Sequence, residues 1–166
     1  PLLDSFTPYG TQLFLPFSDY RVAFNNISVV DPLYTLPCLL CLIVAMFYNR
    51  TRTRRRVWVK AGIYISSVYM LFTIGNKIYM DSVFKKSFDK ADISYSRFST
   101  QPTIMNNVLW YGIAETENDY KVGFYSLFDK KSELDTILTI PKNRDLLDVN
   151  HKDIKVLTWF SNGYYN

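Results

Sequence analysis

Five arginines lie within the seven residues 50–56, and a long apolar segment stands on each side of them. The first segment, LYTLPCLLCLIVAMFY, covers residues 33–48, and the second covers residues 57–79. A helix rises about 1.5 Å per residue, so about 20 apolar residues cross the roughly 30 Å hydrocarbon core of a bilayer. Arginines in a short loop between two such helices stay in the cytoplasm. The sequence therefore predicts two transmembrane helices within residues 29–80.

The arginine loop also determines the predicted orientation and accounts for the net charge of +4. With the loop inside, residues 1–28 form an external loop and residues 81–166 an external domain. Outside residues 50–60 the chain carries 13 basic and 15 acidic side chains, so it has no distributed basic surface. Two soluble alternatives are a pair of buried helices and a nucleic-acid binder that uses the arginines. The position of the arginines favours the lipid bilayer as partner, with no nucleic acid.

Local signals within the two apolar segments indicate how the helices begin and pack. Asp31 precedes Pro32, which combines an acidic N-cap with proline at the first helical position. Cys38 and Cys41 form a C-x-x-C, a spacing typical of metal or redox sites. A thiolate among Leu and Ile would be costly to desolvate and no second pair exists, so packing is the better interpretation. Small and polar residues of the second segment are expected to face a neighbouring helix: Ser66, Ser67, Thr73, Gly75 and Asn76.

After the membrane segments the pattern becomes that of a small α+β domain. Residues 81–90 continue helically, and a period-two pattern then predicts four strands, near residues 93–100, 105–114, 120–128 and 134–140. The segments ETEND and DKKS are typical of hairpin connections. A helix over residues 151–160, with Ile154, Leu157 and Phe160 inward, is predicted to cover the sheet. The predicted fold class is a membrane α-helical hairpin plus a small α+β domain, an antiparallel sheet with a covering helix.

The composition limits the chemistry that this chain can perform alone. His151 is its only histidine, and a lone histidine at a helix start is usually a capping or surface residue. Hydrolytic metal sites combine several histidine and carboxylate ligands. No glycine-rich phosphate loop, G-x-S-x-G or H-E-x-x-H is present. The chain therefore cannot build a histidine-rich site by itself.

The N-terminal stretch PLLDSFTPYGTQLFLPF holds the most informative carboxylate, Asp4. Residues 1–6 have helical character, and Pro8 and Gly10 should end that helix. A carboxylate before such a break is either a solvated helix end or a ligand at the mouth of a site. The spacing alone leaves both interpretations open. The start without Met suggests a fragment or a processed chain.

This stretch resembles the YdjM-type inner-membrane metal-dependent hydrolases. The family pattern H-P-L-L-D-x-x-T-x-x-G-x-x-L-x-x-P is matched except for its initial histidine. The matching residues are Pro1, Leu2, Leu3, Asp4, Thr7, Gly10, Leu13 and Pro16. The resemblance includes the later stretch VVDPLYTLP, and bacteroidete-type members are also similar across RFSTQPTIMNNVLWYGIAE and GFYSLFDK.

The resemblance implies a divalent metal, with zinc one candidate, and makes Asp4 a metal ligand. The family's histidine directly before the proline would share a helix face with Asp4. Thr7, Tyr9 and Gly10 are expected to shape the mouth of the site, and Asp31 is a weaker candidate for it. The other ligands of the family lie upstream, so this 166-residue chain alone is expected to be inactive.

Together with the two membrane segments, the resemblance therefore implies the C-terminal part of a bacterial inner-membrane hydrolase, multi-pass and with its C-terminal domain external. Its substrate would be a lipid or a small phosphoester at the membrane surface. The alternative is a non-enzymatic envelope protein whose α+β domain binds a partner or a lipid headgroup. In that case Asp4 would be only structural.

Overall fold

A computed structural model describes residues 1–143 and 151–165 of the chain. The elements in chain order are a 3-10 helix, Asp4–Phe6; helices α1, Pro32–Met46, and α2, Thr53–Lys90; strands β1, Arg97–Pro102, β2, Leu109–Glu115, β3, Asp119–Ser126, and β4, Ile137–Pro141; and helix α3, Lys152–Phe160. This layout confirms the α+β class. The chain divides into two compact units. The first contains Pro1–Met80 and Gln101–Trp110, and the second contains Asp81–Thr100 and the described residues from Tyr111 onward.

In the first unit α1 packs antiparallel to α2. Asp31 is the N-cap of α1, as predicted, and its Oδ1 accepts a hydrogen bond of 3.0 Å from the Leu33 amide. Its Oδ2 accepts one of 2.8 Å from the hydroxyl of Tyr69 on α2. Further along α1, Cys41 is buried against Gly62 of α2. A Cβ added to Gly62 would lie 3.1 Å from the Cβ of Cys41. Glycine therefore lets the two helices approach closely, and Cys41 packs there as expected.

In the part of helix α2 from Thr53 to Ile78, many large apolar side chains are exposed and several small polar ones are buried. Ser66, Thr73 and Asn76 are at most 8% exposed, whereas Leu71 and Ile78 are more than 65% exposed. A soluble amphipathic helix has the opposite pattern. In a bilayer, small and polar residues face neighbouring helices and apolar residues face lipid. The buried positions match the prediction for Ser66, Thr73 and Asn76, but two other predicted positions differ. Ser67 is exposed, and a Cβ added at Gly75 would meet nothing within 4 Å.

The predicted membrane hairpin is not confirmed as a pair of crossings. Within the described residues, α2 is the one helix long and apolar enough to cross a bilayer. Helix α1 is apolar but has 15 residues, and such a helix is about 22 Å long, shorter than the hydrocarbon core. The helix begins at Pro32 after its N-cap Asp31, as predicted, and ends at Met46, two residues before the end of the apolar segment.

The second unit carries most of a four-stranded antiparallel sheet with strand order β1-β2-β3-β4. Strands β3 and β4 pair from Asp119 opposite Pro141 to Gly123 opposite Ile137. Both predicted hairpin connections are present. In the first connection the Thr116 hydroxyl donates to the Asp119 carbonyl and accepts from the Asp119 amide. In the second, the Asp129 carboxylate accepts from the Ser126 amide. All four predicted strands are found, with ends shifted by a few residues.

The helix that supplies buried side chains to this sheet is the end of α2. Phe84 and Phe88 are fully buried, and Gly112 of β2 leaves the space that the Phe84 ring occupies. Helix α3 begins after its N-cap His151, as predicted, but none of its residues is buried. Leu157 is 40% and Phe160 is 51% exposed. The predicted inward face of α3 is therefore wrong at these two positions, since α2 provides the aromatic core.

Candidate functional site

The N-terminal segment folds back on itself beside the start of α1. Asp4–Phe6 form one turn of 3-10 helix, and the Thr7 hydroxyl donates to the Asp4 carbonyl at 2.8 Å. The chain then returns through an antiparallel bridge between Thr11 and Val22. After it, the Asn26 amide donates to the Phe6 carbonyl at 3.0 Å. These bonds hold the turn that bears Asp4 next to the residues that lead into α1.

Gly10 is required by the backbone of this fold-back. Its φ is +63°, in the left-handed region that favours glycine. A Cβ at this position would lie 2.5 Å from the Val22 carbonyl oxygen and 2.8 Å from the Cβ of Ala23. Gly10 therefore lets the two arms of the N-terminal segment touch, a positional role consistent with the predicted one.

A pocket of about 520 Å³ lies between this segment and α1. All five residues singled out from the sequence line it: Asp4, Thr7, Tyr9, Gly10 and Asp31. The remaining lining residues are Leu3, Ile27, Ser28, Val29, Tyr34, Thr35, Cys38, Leu39 and Leu42. The structure thus brings together residues that are up to 39 positions apart in the sequence, from Leu3 to Leu42.

The two carboxylates of the pocket have different environments. The Asp4 side chain is 65% exposed, and its carboxylate lies 3.2 Å from the nitrogen of Pro1. Asp31 is 2% exposed and uses both oxygens in hydrogen bonds, to the Leu33 amide and to the Tyr69 hydroxyl. Asp4 can therefore turn to a ligand in the pocket, whereas Asp31 is held as a helix cap that connects α1 to α2.

A buried polar network supports the wall of the pocket from the other side. The Asn26 Nδ2 donates to the Thr73 hydroxyl of α2 at 2.8 Å, and the Asn107 Nδ2 donates to the Asn26 carbonyl at 2.7 Å. The Asn76 Nδ2 in turn donates to Asn107 Oδ1 at 2.6 Å. These amides are nearly fully buried. Since buried polar groups are costly when unpaired, the network fixes the position of residues 26–28.

The metal-binding capacity of the described residues is small. In residues 1–143 and 151–165 no three His, Cys, Asp or Glu side chains are grouped so as to hold a metal ion. His151, the only histidine, caps α3 with its Nδ1 and does not line the pocket. The possible donors among the described lining residues are the carboxylates of Asp4 and Asp31, the Cys38 sulfur and several hydroxyls, and both Asp31 oxygens already accept hydrogen bonds. Asp4 thus fits one ligand position, and a complete set is not present in this part of the chain.

Sequence reasoning missed the part of the pocket formed by α1. Tyr34, Cys38 and Leu42 recur every four residues after Asp31, a spacing that places them on one helix face. The spacing shows which residues share this face, but not which segment the face meets. Which face meets the N-terminal segment depends on the fold-back at Thr11 and Val22, which no local pattern indicates.

Residues 1–78 match the family model described as YdjM inner membrane protein. This N-terminal segment, just under half of the 166-residue chain, is therefore of the YdjM type. The match confirms the resemblance drawn from the PLLD motif and includes every residue that lines the pocket. It ends before the sheet, so the similarity expected for residues 97–115 and 123–130 lies outside it. No curated protein and no solved structure matches the chain.

Proposed function

We propose that this YdjM-family chain is part of a membrane-bound, metal-dependent hydrolase that acts on lipid or phosphoester bonds at the membrane surface. The observation that carries the proposal is the convergence of Asp4, Thr7, Tyr9, Gly10 and Asp31 on one pocket. Pockets of this volume are typical of small-molecule sites. The pocket also lies within the segment that matches the family.

Each residue has a distinct role in this proposal. Asp4 is the metal ligand, because its carboxylate is accessible and lines the pocket. Thr7 holds the turn that presents Asp4, and Gly10 keeps the mouth open by allowing the close approach of Val22. Asp31 positions the start of α1 and does not bind the metal. The further ligands would be the histidines that the resemblance places upstream of Pro1.

A divalent metal, when bound, would lower the pKa of a water molecule and polarise the scissile bond. The residues described here would bind and orient the substrate beside it. The tight turn at Asp4 and the network behind residues 26–28 give the pocket the rigidity that such positioning needs.

For the cellular location we propose the bacterial inner membrane, with α1 and α2 both crossing and the sheet domain external. Support comes from the family description and from the reversed polarity of α2, whose apolar side chains face outward. The basic loop at residues 50–56 would then be cytoplasmic.

The test of the hydrolase proposal compares Asp4→Asn with Asp19→Asn in the full-length protein. Asp19 is exposed in the same N-terminal segment but does not line the pocket, so it is a matched control. Asn keeps the shape of Asp but removes the charge that holds a metal. We expect Asp4→Asn to lose bound metal, measured by mass spectrometry, and to lose hydrolysis, while Asp19→Asn keeps both.

Melting in the presence of chelator should be the same for Asp4→Asn and wild type, because the fold does not depend on this carboxylate. The 166-residue chain alone should bind divalent metal weakly. Normal metal content in full-length Asp4→Asn would contradict the ligand role. A full-length wild type without metal would instead favour the non-enzymatic envelope protein.

A further inference from the structure

The pocket at Asp4 continues along one face of α1. The lining residues of that helix are Tyr34, Thr35, Cys38, Leu39 and Leu42. Because a helix rises about 1.5 Å per residue, the distance along its axis from Asp31 to Leu42 is about 16 Å. The pocket is therefore an elongated groove that follows the first three turns of the helix.

The groove changes from polar to apolar along its length. Both carboxylates and most of the hydroxyls that line it, among them Asp4, Thr7, Ser28 and Asp31, lie at or before the start of α1, and Tyr34 and Thr35 follow in its first turn. At the other end are Leu39 and Leu42, each 47% exposed. An elongated site with one polar and one apolar end is complementary to an amphiphile.

The apolar end is continuous with the outward surface of α1. Leu36 and Leu40, which do not line the pocket, are each 61% exposed on the same helix. In a protein of an inner-membrane family, such leucines face hydrocarbon. The groove therefore opens toward the lipid, and a hydrocarbon chain can enter it from the bilayer without crossing water.

We infer that the groove binds one acyl chain of a membrane phospholipid along α1, from Tyr34 to Leu42, with the lipid phosphate at the Asp4 end. This inference rests on the proposed function for the position of the phosphate. The groove has two carboxylates and no Lys, Arg or His among its described lining residues. A metal held at Asp4 would supply the positive charge that a phosphate requires there, whereas the acyl chain needs only the apolar groove.

The matched variants are Leu39→Trp and Leu40→Trp in the full-length protein. Leu39 lines the groove and Leu40, its neighbour, does not, although both are exposed leucines of α1. The larger side chain at Leu39 fills the groove. After detergent extraction, native mass spectrometry should show a retained phospholipid in wild type and Leu40→Trp, and its loss in Leu39→Trp. Equal retention in both variants, or none in wild type, would overturn the inference.

A second measurement leaves the lining residues unchanged. In Cys41→Ala, Cys38 is the remaining thiol and lines the groove. Added palmitoyl-oleoyl phosphatidylethanolamine should slow maleimide labelling of Cys38 several-fold and saturably. The control is Leu40→Cys in a chain with both native cysteines changed to alanine, where the same lipid should leave the rate unchanged. Equal slowing at both positions, or at neither, would contradict binding in the groove.

The metal content of Leu39→Trp separates this inference from the proposed function. If the variant keeps its metal and loses the lipid, both are supported. Retained metal with no effect on lipid overturns the acyl-chain site and leaves the hydrolase. A protein that binds lipid as predicted but contains no metal overturns the hydrolase and the placement of the phosphate at Asp4, and leaves the acyl-chain groove.

Discussion

Glu115 is a buried carboxylate held between two cations in the second unit. It is 7% exposed, and it accepts hydrogen bonds from Arg97 Nε and, at 2.8 Å, from Lys142 Nζ. Burial alone would raise its pKa, but the bonds from Lys142 and Arg97 outweigh burial and lower the pKa below its usual range. Arg97 also donates to the Asn162 carbonyl at 2.7 Å, so the cluster connects β1 and β2 to the residues after α3.

The pKa of Glu115 is lower in the folded than in the unfolded state. The ionised carboxylate therefore stabilises the fold fully at pH values above the unfolded-state pKa of about 4.3. This stabilisation is lost as the pH falls through the lower, folded-state value. We therefore expect Glu115→Gln to lower the unfolding free energy at pH 7 by ~2 kcal/mol, since two charged partners lose a charge-assisted bond. The variant should also lose less stability than wild type between about pH 5 and pH 3.

Thermal unfolding of the purified chain over this pH range measures both effects. Glu117→Gln is the control, because Glu117 lies in the same hairpin but is exposed. The result that would contradict the account is an acid-induced loss of stability as large in Glu115→Gln as in wild type.

At the scale of elements, the contact between α1 and α2 depends on small residues. A Cβ on Gly62 would lie 3.1 Å from the Cβ of Cys41, which is tighter than ordinary contact. Helices in membranes associate through such close approach, since lipid provides no hydrophobic force between them. The pocket wall on α1 is thereby held near α2.

Gly62→Leu should separate the two helices and destabilise the first unit by about 1–3 kcal/mol, the usual cost of overpacking. The matched control is Gly75→Leu on the same helix, where an added Cβ meets nothing within 4 Å. Thermal unfolding in detergent should show a lower midpoint for Gly62→Leu and little change for Gly75→Leu. Equal midpoints for the two variants would mean that the close approach does not hold the helices together.

Local signals in the sequence were sufficient to predict the helices and strands, but not to predict which of their faces are buried. Asp31 with Pro32 and the turn from Thr116 to Asp119 are short-range patterns, and the structure has both. The inward face of α3 was predicted wrongly because the helical period shows which residues share a face, but not whether another element packs against that face. The sheet instead receives Phe84 and Phe88 from the end of α2.

At the candidate site, too, local motifs could be recognised in the sequence, whereas contacts made by the tertiary fold could not. Asp4, Thr7 and Gly10 could be singled out because they lie within one short motif. The α1 wall with Cys38 and Leu39 could not, because it meets that motif only through the non-local bridge between Thr11 and Val22. The pairing of Asp31 with Tyr69, 38 residues away, is likewise a product of the tertiary fold.

At the scale of the whole molecule, the account depends on how the chain crosses the membrane. Helix α2 is long and apolar enough to cross, and the five arginines of residues 50–56 lie between α1 and the first turns of α2. Charges in such a loop favour the cytoplasmic side. Together these features predict that the N-terminal end of α2 is inside and its C-terminal end outside.

Cysteine labelling in intact cells tests this arrangement directly. The reporters are Ser18→Cys, Thr53→Cys and Ser132→Cys, each in a chain with Cys38 and Cys41 changed to alanine. All three positions are exposed. A membrane-impermeant maleimide should label Ser18→Cys and Ser132→Cys from outside, and Thr53→Cys only after the cells are lysed. Labelling of Ser132→Cys but not Ser18→Cys would rule out a crossing by α1, and external labelling of Thr53→Cys would contradict the orientation of α2.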